Sequence, residues 1–296
     1  MPLMLDHQLR ERMEHDASAF PISYYENELA ALPNRAVPPH WHPELEFVTA
    51  VREPLDFRIG LEQFRLFEGE SIFINSNMLH GIRQSSDGKG DPMPNIVFRD
   101  TLIAPESSSI YQKYILPILR CKDLPYVVFR QGSVWQEETN WLLQEIYCSM
   151  KTQEDCHEMT IQRYLSRVFE LMHRNFDHIP RCEISRIQLV AQIRIQKMQE
   201  YIHQHYAESV TLDDIAAAAS ISRSEANRCF NAYMGVSPIE ALIQHRLGVA
   251  HRLLHETTLP LREISRMCGF NSESYFYRRF RKAYGCSPCS FRNTGK

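Results

Sequence analysis

The chain lacks any apolar run approaching the ~20 residues that a membrane-crossing helix needs, so no membrane association is expected. Its start, Met1-Pro-Leu-Met-Leu-Asp6, lacks the basic-then-apolar order of a secretion signal, and a cytoplasmic location is the expectation. The eight cysteines have no framework spacing: Cys121, Cys148, Cys156, Cys182, Cys229, Cys268, Cys286 and Cys289 are scattered. That suits reduced thiols rather than a disulfide-stapled domain. Cys286-Ser-Pro-Cys289 is a lone CxxC with no second pair beside it, too little for a zinc site. What is left, 296 residues at 44% hydrophobic and 23% charged, is an ordinary globular composition sized for about two domains.

The net charge of −3 conceals an asymmetry. Residues 194–296 carry 14 Lys and Arg against 9 Asp and Glu, while residues 1–193 carry 19 against 27. A basic end on an acidic body fits a nucleic-acid-binding part joined to one that does not bind.

The basic end contains a half-hidden repeat. An offset of 49 pairs Leu212 with Leu261, Ile215 with Ile264 and Ile221 with Phe270; an offset of 50 pairs Phe230 with Phe280, Gly235 with Gly285 and Pro238 with Pro288. Two copies are too few for a solenoid, so this is a duplicated small module. Each copy reads as helix, tight turn, helix. In the first, Thr211-Leu-Asp-Asp214 is a helix start, and Ser222 with Glu225 forms a Ser-x-x-Glu capping box. Leu212, Ile215, Ala216 and Ala219 have the spacing of a one-faced helix, and Ala226 and Phe230 aim the next helix at the same core. Ile264, Met267, Phe276 and Phe280 repeat this in the second copy. Such helix-turn-helix units place their second helix in the DNA major groove.

With those apolar residues inward, Ser224, Asn227, Arg228 and Asn231 of the first module face outward, as do Ser274, Tyr277, Arg278 and Arg281 of the second. Arg pairs bidentately with guanine and Asn with adenine. The run Arg278-Arg-Phe-Arg-Lys282 adds phosphate neutralisation. Double-stranded DNA is the partner these residues suit. Solvated polar helix surfaces are the bland alternative, which two copies in register disfavour.

These hundred residues resemble the DNA-binding domain of AraC/XylS-type transcriptional regulators. The densest match is Ile264-Ser-Arg-Met-Cys-Gly-Phe270, Ser274-Tyr-Phe276, Arg279-Phe-Arg-Lys282 and Tyr284-Gly-Cys-Ser-Pro288. The segment Arg246–Leu254 resembles the long helix that joins the two modules. The first copy departs in having Ala226 where a larger aliphatic is usual, and Ser220 where Gly is common.

Residues 22–97 read as short strands: Glu46–Val51, Leu55–Ile59, Gln63–Phe67, Ser71–Asn75 and Asn95–Phe98 are β-branched and aromatic runs separated by Pro, Gly and Asn, the pattern of a sandwich or barrel. Residues 1–20 read as a surface helix or loose arm. His40-Trp-His42-Pro-Glu-Leu-Glu46 and, later, Asn77-Met-Leu-His80 resemble the two motifs of the cupin barrel, a sensor domain of many AraC-type regulators. In metallo-cupins His40, His42, Glu46 and His80 would be ligands of a divalent transition metal. The same residues, with Trp41 as a stacking surface, suit hydrogen bonding to a small polar effector such as a sugar. They could also be a structural leftover at the barrel mouth; the effector pocket is the expected reading, with no metal, though the motif alone does not separate the three. No resident cofactor is otherwise expected.

Ser109–Leu116, Ser133–Met150 and Glu158–Phe176 read as helices; in the last, Ile161, Tyr164, Leu165, Val168, Leu171 and Met172 form an apolar stripe. The stripe packs on the barrel or forms a dimer contact. The resemblance implies self-association, and a homodimer is expected. Pro180–Arg186 reads as the linker, and Ile193, Ile195, Met198, Ile202 and His205 as the inward stripe of the helix that follows.

The expected fold class is α+β with two domains: an N-terminal cupin-like β-barrel with helical connector, then a C-terminal all-α double helix-turn-helix. The divisions are 1–104 (effector-sensing barrel), 105–190 (helical connector and dimerisation region) and 191–296 (DNA-binding domain). The expected function is sequence-specific transcriptional regulation, not catalysis, under control of a small-molecule effector. The competing class is a metallo-cupin enzyme with an appended DNA-binding domain.

Overall fold

A computed structural model describes residues 20–31, 35–84, 92–182 and 186–294. The arm expected over residues 1–20 therefore falls, but for Phe20, outside the described residues. The chain divides into two compact units, with the break between Arg186 and Ile187.

Among the described residues the first unit carries nine strands: β1 (Ile22–Asn27), β2 (Ala36–His40), β3 (Leu45–Thr49), β4 (Leu55–Ile59), β5 (Glu62–Leu66), β6 (Ser71–Ile74), β7 (His80–Gln84), β8 (Met93–Phe98) and β9 (Tyr126–Phe129). They form two antiparallel sheets, ordered β1-β8-β3-β6-β9 and β2-β7-β4-β5. The two facing sheets share a core of Val48, Ile72 and Ile74 from one and Val37, Phe57, Leu66 and Ile82 from the other. In place of the closed barrel expected, no ladder among the described residues joins one sheet to the other. One reason is visible in β2: Pro38 and Pro39 remove two backbone donors, which confines that strand to an edge.

Period-two alternation explains β4, where Leu55, Phe57 and Ile59 are buried and Asp56 and Arg58 half-buried. β3, β6 and β8 are buried on both faces. Their second face is covered by helices. α1 (Leu116–Leu119) follows a single π-helical stretch, Tyr111–Ile115; α2 (Val134–Thr152) and α3 (His157–Arg174) are long. Phe47, Phe73, Ile96 and Phe98 of the sheet pack with Leu143, Ile146, Leu165, Val168 and Phe169 in one core. The helical region is thus continuous in packing with the five-stranded sheet. β9 lies inside a segment that reads as helical, because a four-residue apolar run has no decisive period.

The second unit is all-helical: α4 (Arg186–His205), α5 (Leu212–Ala218), α6 (Arg223–Met234), α7 (Pro238–Glu256), α8 (Leu261–Met267), α9 (Glu273–Tyr284) and α10 (Pro288–Thr294). Two inward assignments are corrected. Ile193 of α4 is 53% exposed, and Ile195, Met198 and Ile202 carry that helix's buried face. Met267 is 45% exposed, and the neighbouring Cys268 takes its place in the core with Ile264, Phe276 and Phe280. No described helix is long and apolar enough to cross a membrane.

Candidate DNA interface and a buried donor cluster

Each module is set by local capping. Thr211 and Asp214 form a reciprocal capping box at α5, and Ser237 caps α7 by accepting from Glu240 N. Ser222 and Ser272 cap α6 and α9 by accepting from Glu225 N and Tyr275 N. The box expected at Ser222 is only half made. The Glu225 carboxylate turns instead to Arg228 (2.8–3.0 Å) and to Arg194 of α4 (3.3 Å).

Both inter-helix turns need a left-handed residue. Gly269 supplies it at φ +76° and Ser220 at φ +56°. Glycine is required at the second turn by close approach as well: a Cβ there would lie 2.5 Å from the Tyr206 carbonyl oxygen. Ser220 holds the same region of φ with a side chain, so the departure from glycine in the first copy leaves the turn intact.

Phe230, Ala226, Phe276 and Phe280 are fully buried. The opposite faces of the two helices are polar. On α6, Ser224, Arg228 and Asn231 are exposed and Asn227 half-buried; on α9, Ser274, Arg278 and Arg281 are exposed and Tyr277 half-buried. Asn231 donates its amide to the Asn227 carbonyl (2.9 Å), which leaves its oxygen outward. Arg278 lies over the Tyr275 ring at 5.4 Å. Arg279, part of the run expected to neutralise phosphate, is turned inward and paired with Glu240 of α7. Arg246 of α7 was not singled out from the sequence. It donates to the Tyr206 and Glu208 carbonyls, each at 2.7 Å, and so ties α7 to the segment before α5.

The first unit holds a second candidate site. His40, His42, Glu46 and His80 are all buried, and one ligand atom from each lies within 4.8 Å of the others. They come from separate pieces of backbone, not from one strand face. His40 ends β2, His42 lies in the loop after it, Glu46 is on β3 and His80 opens β7. His40 and His80 are register partners, and their rings stand 4.2 Å apart. Gly81 eases this approach, since a Cβ there would stand 3.2 Å from Pro39 N, tighter than ordinary contact. Trp41, between the two histidines in the chain, is half-buried.

The three rings are anchored from behind, and His42 also reaches Glu46 Oε2 through Nε2 at 3.4 Å. Nδ1 of His40, His42 and His80 faces the carbonyls of Pro38 (3.0 Å), Glu44 (3.1 Å) and Met78 (2.8 Å). A carbonyl only accepts, so each Nδ1 carries a proton and each ring turns its Nε2 toward the cluster. Nε2 of His80 lies 2.9 Å from the same Glu46 Oε2. The His80 contact is off the direction a ring N–H would need, so it is proximity without a hydrogen bond. Glu46 Oε1 accepts from Asn95 (2.9 Å), whose own oxygen accepts from Asn27 (2.9 Å). Burial, then the His80 and His42 rings, hold His40 well below its ordinary pKa. Burial pushes the Glu46 carboxyl up, but the contacts with His42 and His80 together outweigh it and its pKa is lowered. A lone pair that faces a carboxylate inside a protein needs a proton or a cation between them. Three imidazole Nε2 atoms and one carboxylate oxygen, oriented by partners behind them, suit a divalent transition metal.

Two capped helix-turn-helix modules joined by one long helix, each with a polar outer face on its second helix, have the form of a DNA-binding domain. Comparison with known proteins agrees. The family described as "Helix-turn-helix domain" matches residues 215–294. The chain is 27% identical over 289 residues, 98% of its length and 97% of the relative's, to the "Uncharacterized HTH-type transcriptional regulator YdeC" of Bacillus subtilis (strain 168). It is 40% identical over 100 residues to the "Xylose operon regulatory protein" of Escherichia coli (strain K12), covering 33% of this chain but only 25% of that one. Among solved structures, a transcriptional regulator from Chromobacterium violaceum with an AraC-type DNA-binding domain is 27% identical. It covers 36% of this chain and 94% of its own, at a TM-score of 0.34. Residues 215–294 thus match a helix-turn-helix domain, and the chain is similar over almost its whole length to a DNA-binding transcriptional regulator.

Proposed function

We propose that this regulator takes its signal in the first unit, at His40, His42, Glu46 and His80, and reads DNA with α6 and α9. The observation that carries the first half is the convergence of four donor atoms whose other faces are already anchored. A divalent transition metal, alone or as the anchor of a small polar effector, is the ligand this donor set supports best. Bound there, it would supply positive charge between the Nε2 atoms and Glu46. In this reading residues 1–104 sense, 105–190 connect and 191–296 bind DNA. The base-facing set is Ser224, Asn227, Arg228, Asn231, Ser274, Tyr277, Arg278 and Arg281. The protein acts in the cytoplasm, without catalytic turnover. It acts as a homodimer, which the exposed Val134, Trp141 and Met159 of α2 and α3 support and light scattering of the purified chain tests.

Metal analysis with titration of Zn(II), Mn(II) and Co(II) tests the site. The expected result is one equivalent per chain, lost in His42→Ala, with DNA affinity that differs between loaded and stripped protein. Linkage then requires metal affinity to change by the same factor when DNA is bound. Stripped and loaded chains that bind DNA and unfold identically would refute the sensor. The same donor cluster favours one second reading, a metallo-enzyme of the first unit. Substrate turnover by the loaded protein, with DNA affinity indifferent to metal, would establish that instead.

A further inference from the structure

The two second helices differ in how their cations are held. On α6 both are engaged by carboxylates: Arg223 by Asp213 (3.2 Å), and Arg228 by both oxygens of Glu225. On α9 only Arg279 is so engaged, by Glu240 behind the helix. Among the described residues, no carboxylate pairs with Arg278, Arg281 or Lys282. The one acid of α9, Glu273, reaches Arg262 instead. Glu225 is itself fixed from behind by Arg194 of α4 (3.3 Å), so it is positioned rather than free to swing.

We propose that Glu225 is a specificity-determining residue that keeps Arg228 occupied on arbitrary DNA and yields it only to the correct base. The proposal rests on the reading that α6 faces DNA. A loose phosphate contact offers Arg228 one carboxylate-like partner in exchange for another, with little gain, because exposed ion pairs are weak. A bidentate guanine contact improves binding on the order of 5- to 150-fold, enough to outcompete the pair. Non-specific binding is therefore left to α9, and α6 adds affinity only where the sequence fits. The specificity ratio rises because the non-specific denominator is held down.

The experiment uses the full chain and poly(dI–dC) as non-specific probe, with affinity measured from 50 to 200 mM salt. Four proteins are compared: wild type, Glu225→Gln, Arg228→Ala and the double variant. One added phosphate contact changes the log–log salt slope by about 0.9, or roughly threefold in affinity across that range. Glu225→Gln is expected to bind more tightly at low salt with a slope steeper by about one. Arg228→Ala is expected to cancel that gain when combined with Glu225→Gln, and to change the slope less than half as much when Glu225 is present. Removing a negative charge without freeing Arg228 would leave the gain intact in the double variant and overturn the proposal. Equal losses from Arg228→Ala in both backgrounds would overturn it while leaving α6 as a DNA-facing helix. No effect of Arg228→Ala in either background, on the probe or on a selected high-affinity duplex, would remove both. Glu225→Ala, with an unchanged urea midpoint as the fold control, serves should the glutamine variant unfold.

Discussion

Replacing Gly269 with alanine tests how tightly the second inter-helix turn is held. The residue sits at φ +76°, where an L-residue costs ~1–2 kcal/mol. The new Cβ would stand 2.5 Å from the Tyr206 carbonyl oxygen and 3.0 Å from Cζ and Nε of Arg246. Neither obstacle yields easily. The first is backbone, and the second is a guanidinium fastened to the Tyr206 and Glu208 carbonyls. Overpacking of this kind adds ~1–3 kcal/mol, so a loss of about 2–5 kcal/mol is expected. In a unit of this size each kcal/mol lowers Tm by roughly 4–8 °C, which puts the fall at ~10 °C or more. All three tryptophans, Trp41, Trp135 and Trp141, belong to the first unit. Urea unfolding followed by circular dichroism at 222 nm should therefore show an early transition that tryptophan fluorescence does not. Ser220→Gly is the control: it relieves a left-handed serine at φ +56° and is expected to leave stability unchanged or raise it by up to ~1 kcal/mol. An unaltered dichroism midpoint for Gly269→Ala, or equal losses from both substitutions, would refute the reasoning.

Three substitutions on α9 separate the roles of its cations. Arg278→Ala should weaken binding to a selected duplex by ~1–3 kcal/mol and relax discrimination at one base pair; a uniform loss on all sequences would make it a phosphate contact. Arg281→Ala should reduce the salt slope by about one. Arg279→Ala should leave the slope unchanged and destabilise the second unit instead, because its guanidinium faces Glu240; urea titration and salt-dependent binding separate the two roles.

The features that the linear chain displayed are those with local causes. Thr211 and Ser222 start helices through hydrogen bonds that span three residues. Phe230 and Phe280 recur at a fixed offset because the two modules bury the same position. Leu55, Phe57 and Ile59 alternate because a strand has a period of two. The features that stayed hidden are those in which a side chain had two possible partners. Glu225 had the capping-box spacing, but Arg194, thirty-one residues earlier, and Arg228 drew its carboxylate away. Arg279 resembles its neighbours in the chain and differs from them only through Glu240 behind it. Met267 and Cys268 exchanged roles because a seven-residue helix fixes its inward face only when docked.

The sequence by itself thus determined the twin modules, their caps and the polar faces of α6 and α9, since helical period and capping act within a few residues. Only the tertiary structure decided which cations are engaged, and that two open sheets, not one closed ladder, enclose the histidines. It alone brought His80 to Glu46, thirty-four residues away in the chain, within 2.9 Å. Contacts of that kind depend on strand register and on the room that Gly81 leaves beside Pro39, and neither is written in any short stretch of residues.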